Sequence, residues 1–124
     1  MTIQSYRDLE IWQRARTLAA DIYRITQTFP PTERYGLVSQ MRRAAISVPS
    51  NIAEGWARRY PAEFIQFLRT ANGSLAELET QLILSADLGF INPQALSQLQ
   101  ATTDILARQI LTLERKIKTK NRIQ

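Results

Sequence analysis

The sequence lacks two residue types that carry much of protein chemistry, since its 124 residues include no cysteine and no histidine. The absence of cysteine excludes disulfide bonds and thiolate metal ligands, and the absence of histidine removes the most common general base and metal ligand. Nucleophiles that depend on a neighbouring histidine are excluded as well, so an enzyme is the least favoured class of function. We expect neither a bound metal nor a cofactor.

Long apolar runs are also missing. No segment approaches the roughly 18 consecutive apolar residues of a membrane-spanning helix. Residues 1–5 lack the charged and apolar regions of a signal peptide. These features predict a cytoplasmic protein of a prokaryote, with no membrane contact.

Glycine is scarce and charge is unevenly distributed. Only four glycines occur and 44% of residues are hydrophobic, which is typical of a folded, helix-rich chain long enough for one domain. The net charge of +5 arises entirely in the last ten residues, because eleven acidic and eleven basic residues precede them. The basic tail of residues 115–124 carries Arg115, Lys116, Lys118, Lys120 and Arg122. It is either a solvated helix end, favoured by the helix dipole, or a segment that contacts phosphates.

Prolines and glycines divide the chain into four predicted helices. Pro30 and Pro31 end the first helix, and Pro61 suits the first turn of the third. Gly89 suits a left-handed C-terminal position, and Asn92 before Pro93 is a typical N-cap. The predicted helices span about residues 7–28 with Ser5 as cap, 32–58 with Thr32 as cap, 61–88 and 93–118.

Apolar residues recur at spacings of three and four in the first and last helices. The predicted core positions of helix 1 are Trp12, Ala15, Ala19, Ile22, Thr26 and Phe29. Those of helix 4 are Leu96, Leu99, Thr103, Leu106, Ile110, Leu113 and Ile117. Such seams favour near-parallel packing, and short connections make successive helices antiparallel. We therefore predict an all-α, up-down-up-down four-helix bundle.

The two central helices are apolar on more than one side. Their predicted core faces hold Leu37, Val38, Met41, Ala44, Ala45, Val48, Ile52 and Gly55 on helix 2, and Phe64, Phe67, Leu68, Ala71, Leu75, Leu78, Leu82 and Ala86 on helix 3. Their far sides hold Ile46, Pro49, Ala53 and Ala57 on helix 2, and Ile65, Ala76, Thr80 and Ile83 on helix 3. Pro49 also interrupts helix 2, which must then be held by packing from outside. A few exposed aliphatic residues are tolerable, but self-association through these residues is the favoured interpretation.

A polar stripe lies between these faces and consists of Ser47, Asn51, Glu54, Ser74 and Glu77. Carboxylates such as Glu54, Glu77 and Glu79 are compatible with a metal or acid–base site. The usual carboxylate bundle site also needs histidine, which this chain lacks. We favour a structural role in which Asn51 and Ser47 satisfy carbonyls freed near Pro49 and the glutamates bridge helices.

Three segments carry a family resemblance. Residues 40–55 (QMRRAAISVPSNIAEG) resemble the signature of bacterial four-helix-bundle proteins first noted in intervening sequences within large-subunit rRNA genes, the 23S rRNA-intervening sequence proteins. Residues 63–69 (EFIQFLR) and 73–82 (GSLAELETQL) look like the second block of that family, and residues 9–13 (LEIWQ) resemble its opening. The fourth helix is generic.

This resemblance implies a left-handed bundle that assembles into a homopentameric ring. It also implies kinship with the accessory protein of diversity-generating retroelements, a basic pentamer that binds a reverse transcriptase and nucleic acid. No enzymatic activity is attached to the family, and the Arg-then-His pair of related helical nucleases is missing here.

The sequence thus predicts an oligomer that binds RNA or DNA, and a protein-interaction scaffold without nucleic acid is the alternative. The predicted phosphate contacts are the tail cations named above together with Arg42 and Arg43.

Overall fold

A computed structural model describes the backbone of residues 2–123 and the side chains of residues 2–120. Its elements are two 3₁₀ turns, Tyr6–Asp8 and Pro31–Glu33, and the helices α1 (Glu10–Thr26), α2 (Leu37–Ala57), α3 (Pro61–Asp87) and α4 (Pro93–Ile123). No residue in 2–123 lies in a β-strand, so the all-α prediction is confirmed. Pro49 lies inside a continuous α2, as the sequence predicted.

The helices form a bundle in which each packs against its neighbours in the chain and α1 closes the circle against α4. Helices α3 and α4 are antiparallel, because a later residue of α3 contacts an earlier residue of α4. Arg69 pairs with Glu114, whereas Glu79 lies beside Thr103. The predicted up-down arrangement of four helices is therefore correct.

Most helix ends follow local sequence signals. Pro61 occupies the first turn of α3, where its missing N–H costs nothing. Gly89 follows α3 with a φ of 79°, the left-handed conformation that glycine adopts without steric cost. The Asn92 side chain accepts a hydrogen bond from the backbone N–H of Ala95 at 2.8 Å, so it caps α4.

The starts of the first two helices differ from the prediction. Ser5 does form a capping box with Asp8, but it caps the 3₁₀ turn and Leu9 is extended before α1 begins. Thr32 lies in the second 3₁₀ turn, whereas α2 begins five residues later after Gly36 without a side-chain cap. A 3₁₀ turn that begins at Pro31 thus replaces the first turn that was predicted for helix 2.

The core is a single cluster lined by all four helices. The core predictions for α2 and α4 hold, since Met41, Val48, Leu106 and Ile110 are almost fully buried. In α1, buried Ile11 and Leu18 replace the predicted Trp12 and Ala19, which are half-buried and flank the cluster. In α3, Ile65, Gln81 and Ser85 are also buried. The predicted Ala15, Ile22, Thr26 and Phe29 are buried, so the buried face of α1 differs from the predicted one only at Trp12 and Ala19.

Candidate nucleic-acid interface at one end of the bundle

The basic C-terminal segment is a helix and not a separate tail. Helix α4 continues to Ile123, five residues beyond the predicted end. Arg115, Lys116 and Lys120 are exposed, and Lys118 is half-buried. We call these four residues the basic helix end. Arg122 lies outside the residues whose side chains are described.

Few acidic groups oppose these cations. Glu114, the carboxylate directly before the segment, is buried and pairs with Arg69 of α3 at 2.5 Å. In the part of the chain with described side chains, no ion pair involves the basic helix end. Arg115, Lys116 and Lys120 line one shallow open groove together with Thr112 and Thr119. The groove offers cations and hydroxyls to an anion.

The structure does not bring Arg42 and Arg43 to this surface. The Arg42 guanidinium donates to the Thr26 hydroxyl at 3.0 Å and the Tyr23 carbonyl at 3.2 Å, and it stacks on the Tyr23 ring. Arg42 therefore holds the C-terminal turn of α1 against α2. Arg43 is exposed, but it lies about 20 Å along α2 from the end of the bundle that carries the basic helix end. These two arginines do not join that surface.

Arg59 was not among the predicted phosphate contacts, but the structure places it beside the C-terminal part of α4, since it lines one cavity together with Leu113, Ile117 and Lys120. Arg59 follows α2 and has a φ of 66°, a left-handed conformation that costs a non-glycine residue about 1 kcal/mol. The run of Arg58 and Arg59 before Tyr60-Pro61 was the available signal, since a cation between a helix end and a proline break is exposed. Arg58 pairs with Glu54 and Glu63, whereas no ion pair among the described side chains involves Arg59.

An apolar cleft of about 670 Å³ opens at the same end of the bundle. Its lining comes from the N-terminal segment, the end of α2 and the α2–α3 connection, the start of α3 and the end of α4. It consists of Ile3, Gln4, Leu9, Gly55, Trp56, Arg59, Tyr60, Pro61, Phe64, Leu113, Ile117 and Lys120. We call it the end cleft. The cleft and the basic helix end share Lys120.

The residues predicted to mediate self-association are not all on the surface. Ile46 and Ile83 are 44% and 40% exposed. Ala57, Ala76 and Thr80 are exposed as well, whereas Pro49 and Ala53 are half-buried. The prediction that Ile65 lies on the far side of α3 is wrong, because it is only 9% exposed.

The polar stripe forms a small network between α2 and α3. The Asn51 amide donates to the Ser47 carbonyl at 2.7 Å and to the Ser47 hydroxyl at 2.9 Å, and the Ser74 hydroxyl donates to that of Ser47 at 2.8 Å. The carbonyl that Pro49 frees belongs to Ala45, four residues earlier, so Asn51 reaches a neighbouring carbonyl and not the predicted one.

Of the glutamates predicted to bridge helices, Glu79 does so, since it accepts a hydrogen bond from the Thr103 hydroxyl of α4 at 3.5 Å. Glu54 instead pairs at 3.7 Å with Arg58, which follows the last residue of α2 and also pairs with Glu63 of α3. Glu77 accepts a hydrogen bond from Gln81 within α3 at 3.2 Å. Among the described residues, no group of three Asp or Glu side chains lies together as a metal site would require.

In residues 2–123, no helix is both long and apolar enough to span a membrane.

Comparison with protein-family models gives a match over residues 7–112 to the family of 23S rRNA-intervening sequence proteins. This chain belongs to that family. The resemblance inferred from the sequence motifs is confirmed. The matched segment runs from the first 3₁₀ turn into the second half of α4, and the basic helix end lies beyond it.

A solved structure shares the fold. A crystal structure of a protein of unknown function from the S23 ribosomal protein family of Bacteroides thetaiotaomicron superposes with a TM-score of 0.76 at 18% identity. The likeness covers 84% of this chain and 97% of that chain. A comparison with curated proteins finds no match. Family and fold are thus established without an activity.

Proposed function

We propose that this chain forms a non-enzymatic homo-oligomer that associates with RNA or DNA through the basic helix end. The observation that carries the proposal is the open groove in which Arg115, Lys116 and Lys120 stand on one helix without a paired carboxylate among the described side chains. Cations of this kind contact phosphates, release counterions and provide affinity that falls with salt. They carry no element that reads base edges, so binding is independent of sequence.

The test of the nucleic-acid proposal removes three cations and leaves Lys120 in the end cleft. We expect Arg115→Gln, Lys116→Gln and Lys118→Gln together to weaken RNA binding roughly tenfold or more at low salt. The slope of log affinity against log salt concentration should fall by up to about 3 per chain, because each lost phosphate contact removes nearly one unit. Fluorescence anisotropy with a labelled RNA hairpin and a DNA duplex between 50 and 200 mM salt, about the range over which such contacts weaken, measures both quantities.

The matched control removes three exposed arginines elsewhere on the bundle, Arg16→Gln, Arg34→Gln and Arg108→Gln. It has the same net charge and should retain most of the affinity. Equal losses in both variants would show a nonspecific effect of total charge and contradict the proposal. A protein partner that survives nuclease treatment, with no binding of either probe, would instead support a scaffold.

The self-association that we propose joins two different flanks of the α2–α3 layer. Ile46 lies one turn after Arg42, whose side chain contacts α1, so Ile46 is on the α1 side of α2. Ile83 lies one turn after Glu79, which contacts Thr103 of α4, so Ile83 is on the α4 side of α3. Two distinct apolar flanks favour head-to-tail contacts, which form a ring when the rotation between neighbouring chains closes. The homopentamer implied by the family resemblance is of this type.

A mixing experiment tests the head-to-tail arrangement. We expect Ile46→Glu and Ile83→Glu each to reduce the assembly to single chains, because each removes one half of every contact. An equimolar mixture of the two variants should form dimers only, since one intact flank of each kind remains. Light scattering coupled to size-exclusion chromatography measures the masses, and Gln94→Glu with Gln98→Glu, both exposed on α4, controls for added charge. Dimers in either variant alone would contradict a ring.

A further inference from the structure

The end cleft has an apolar interior and a cationic edge. Leu9, Trp56, Phe64, Leu113 and Ile117 supply buried or half-buried apolar surface. Among the residues with described side chains, the charged members of the lining are Arg59 and Lys120, both exposed, and none is an aspartate or glutamate. A ligand that matched this cleft would have an apolar body and a negatively charged head.

The volume sets the size of such a ligand. About 670 Å³ lies within the range of roughly 300–1,000 Å³ that is typical of small-molecule sites. The aromatic rings of Trp56 and Phe64 meet edge to face at 6.0 Å and form a rigid wall. An aromatic or branched alkyl body fits beside these rings, whereas a folded partner would have to enter a space bounded by the N-terminal segment, the α2–α3 connection and the surrounding helix ends.

The backbone at Arg59 is a second, independent indication. Arg59 is the second residue after α2 and has a left-handed conformation, which glycine would adopt without steric cost. The chain instead carries a long cation, and the left-handed turn places it on the lining of the cleft. Strained backbone conformations of this kind cluster at ligand-binding positions, where the strain holds one side chain in a required place.

We propose that the end cleft binds a small amphiphilic organic anion, a free carboxylate, sulfonate or phosphate with an aromatic or alkyl body. The apolar body lies between Trp56, Phe64 and Ile117, and the anionic head lies between Arg59 and Lys120. This inference goes beyond the proposed function, since it requires neither nucleic acid nor self-association.

A pair of fluorescent probes tests the inference. Anilinonaphthalene sulfonate is an aromatic anion, and N-phenylnaphthylamine has the same rings without the sulfonate. We expect the full-length chain to bind the sulfonate at one saturable site and more tightly than the neutral probe. Arg59→Gly and Lys120→Gln should each weaken sulfonate binding about fivefold to tenfold, and neither should change binding of the neutral probe.

The variants separate binding from folding. Arg59→Gly removes the cation while it favours the observed backbone conformation, so a loss of binding cannot come from loss of the turn. Arg108→Gln, an exposed cation elsewhere on α4, should leave both affinities unchanged. The inference is overturned if the two probes bind the wild-type chain equally, if the sulfonate does not saturate, or if Arg108→Gln weakens it as much as Lys120→Gln does.

Discussion

Gly55→Ala is expected to lower the free energy of unfolding by about 2 kcal/mol. A Cβ on Gly55 would lie 2.7 Å from the Cβ of Phe67 and 3.0 Å from the ring of Phe64. The Phe67 Cβ is attached to the backbone of α3, so no rotamer change relieves the overlap and the two helices must separate. Overpacking of this kind costs up to about 3 kcal/mol, and the better helix propensity of alanine returns about 1 kcal/mol.

Gly73 is the matched control within the neighbouring helix. Gly73 lies in the middle of α3 along the chain and is exposed to solvent. A Cβ at this position would have no neighbouring atom within 4 Å. Gly73→Ala should therefore stabilise the protein by roughly 1 kcal/mol through helix propensity alone. Urea unfolding at one fixed protein concentration measures both variants. If Gly55→Ala is as stable as Gly73→Ala, the close approach of α2 and α3 does not exist in solution.

Pro49→Ala is expected to raise the free energy of unfolding by about 2 kcal/mol. Pro49 is the thirteenth residue of the 21-residue α2, where proline deletes a hydrogen bond to the carbonyl of Ala45 and costs about 3 kcal/mol. Alanine restores the donor but loses part of the ring's contact surface, worth about 1 kcal/mol for a half-buried residue.

The neighbouring exposed Ser50 provides the reference for Pro49. Ser50→Ala should change the stability by no more than about 0.5 kcal/mol. A lower stability of Pro49→Ala would contradict the prediction. It would show that the helices packed around α2 require the backbone geometry that proline imposes. Light scattering on the same samples records whether the mass of the assembly changes, because Pro49 was also predicted to contact a second chain.

The number and order of the helices could be predicted from the sequence because the breaks between them are local. Pro61, Gly89 and Asn92 each act through their own backbone or side chain, and the structure shows each in the expected conformation. The three-and-four spacing along α4 likewise depends only on helix geometry. The family followed from the same segments, because its signature lies within α2 and α3.

The candidate site could be predicted only in part. The basic helix end was visible as a run of cations, but the end cleft joins Ile3, Trp56 and Ile117, which are far apart in sequence. A helical wheel orders residues about one axis and contains no information on where the neighbouring helices stand. For that reason it assigned Ile65 and Ile83 to one exposed side, although only Ile83 is exposed.

Sequence alone thus determined the helices, their breaks, the family and the concentration of charge at one terminus, since each arises from neighbours in the chain. The tertiary structure decided which cations remain open: Arg42 binds the end of α1, Arg69 neutralises buried Glu114, and Arg59 faces a cleft. The physical reason is that a charged side chain takes its role from the groups within a few ångströms of it, and those groups are brought there by packing.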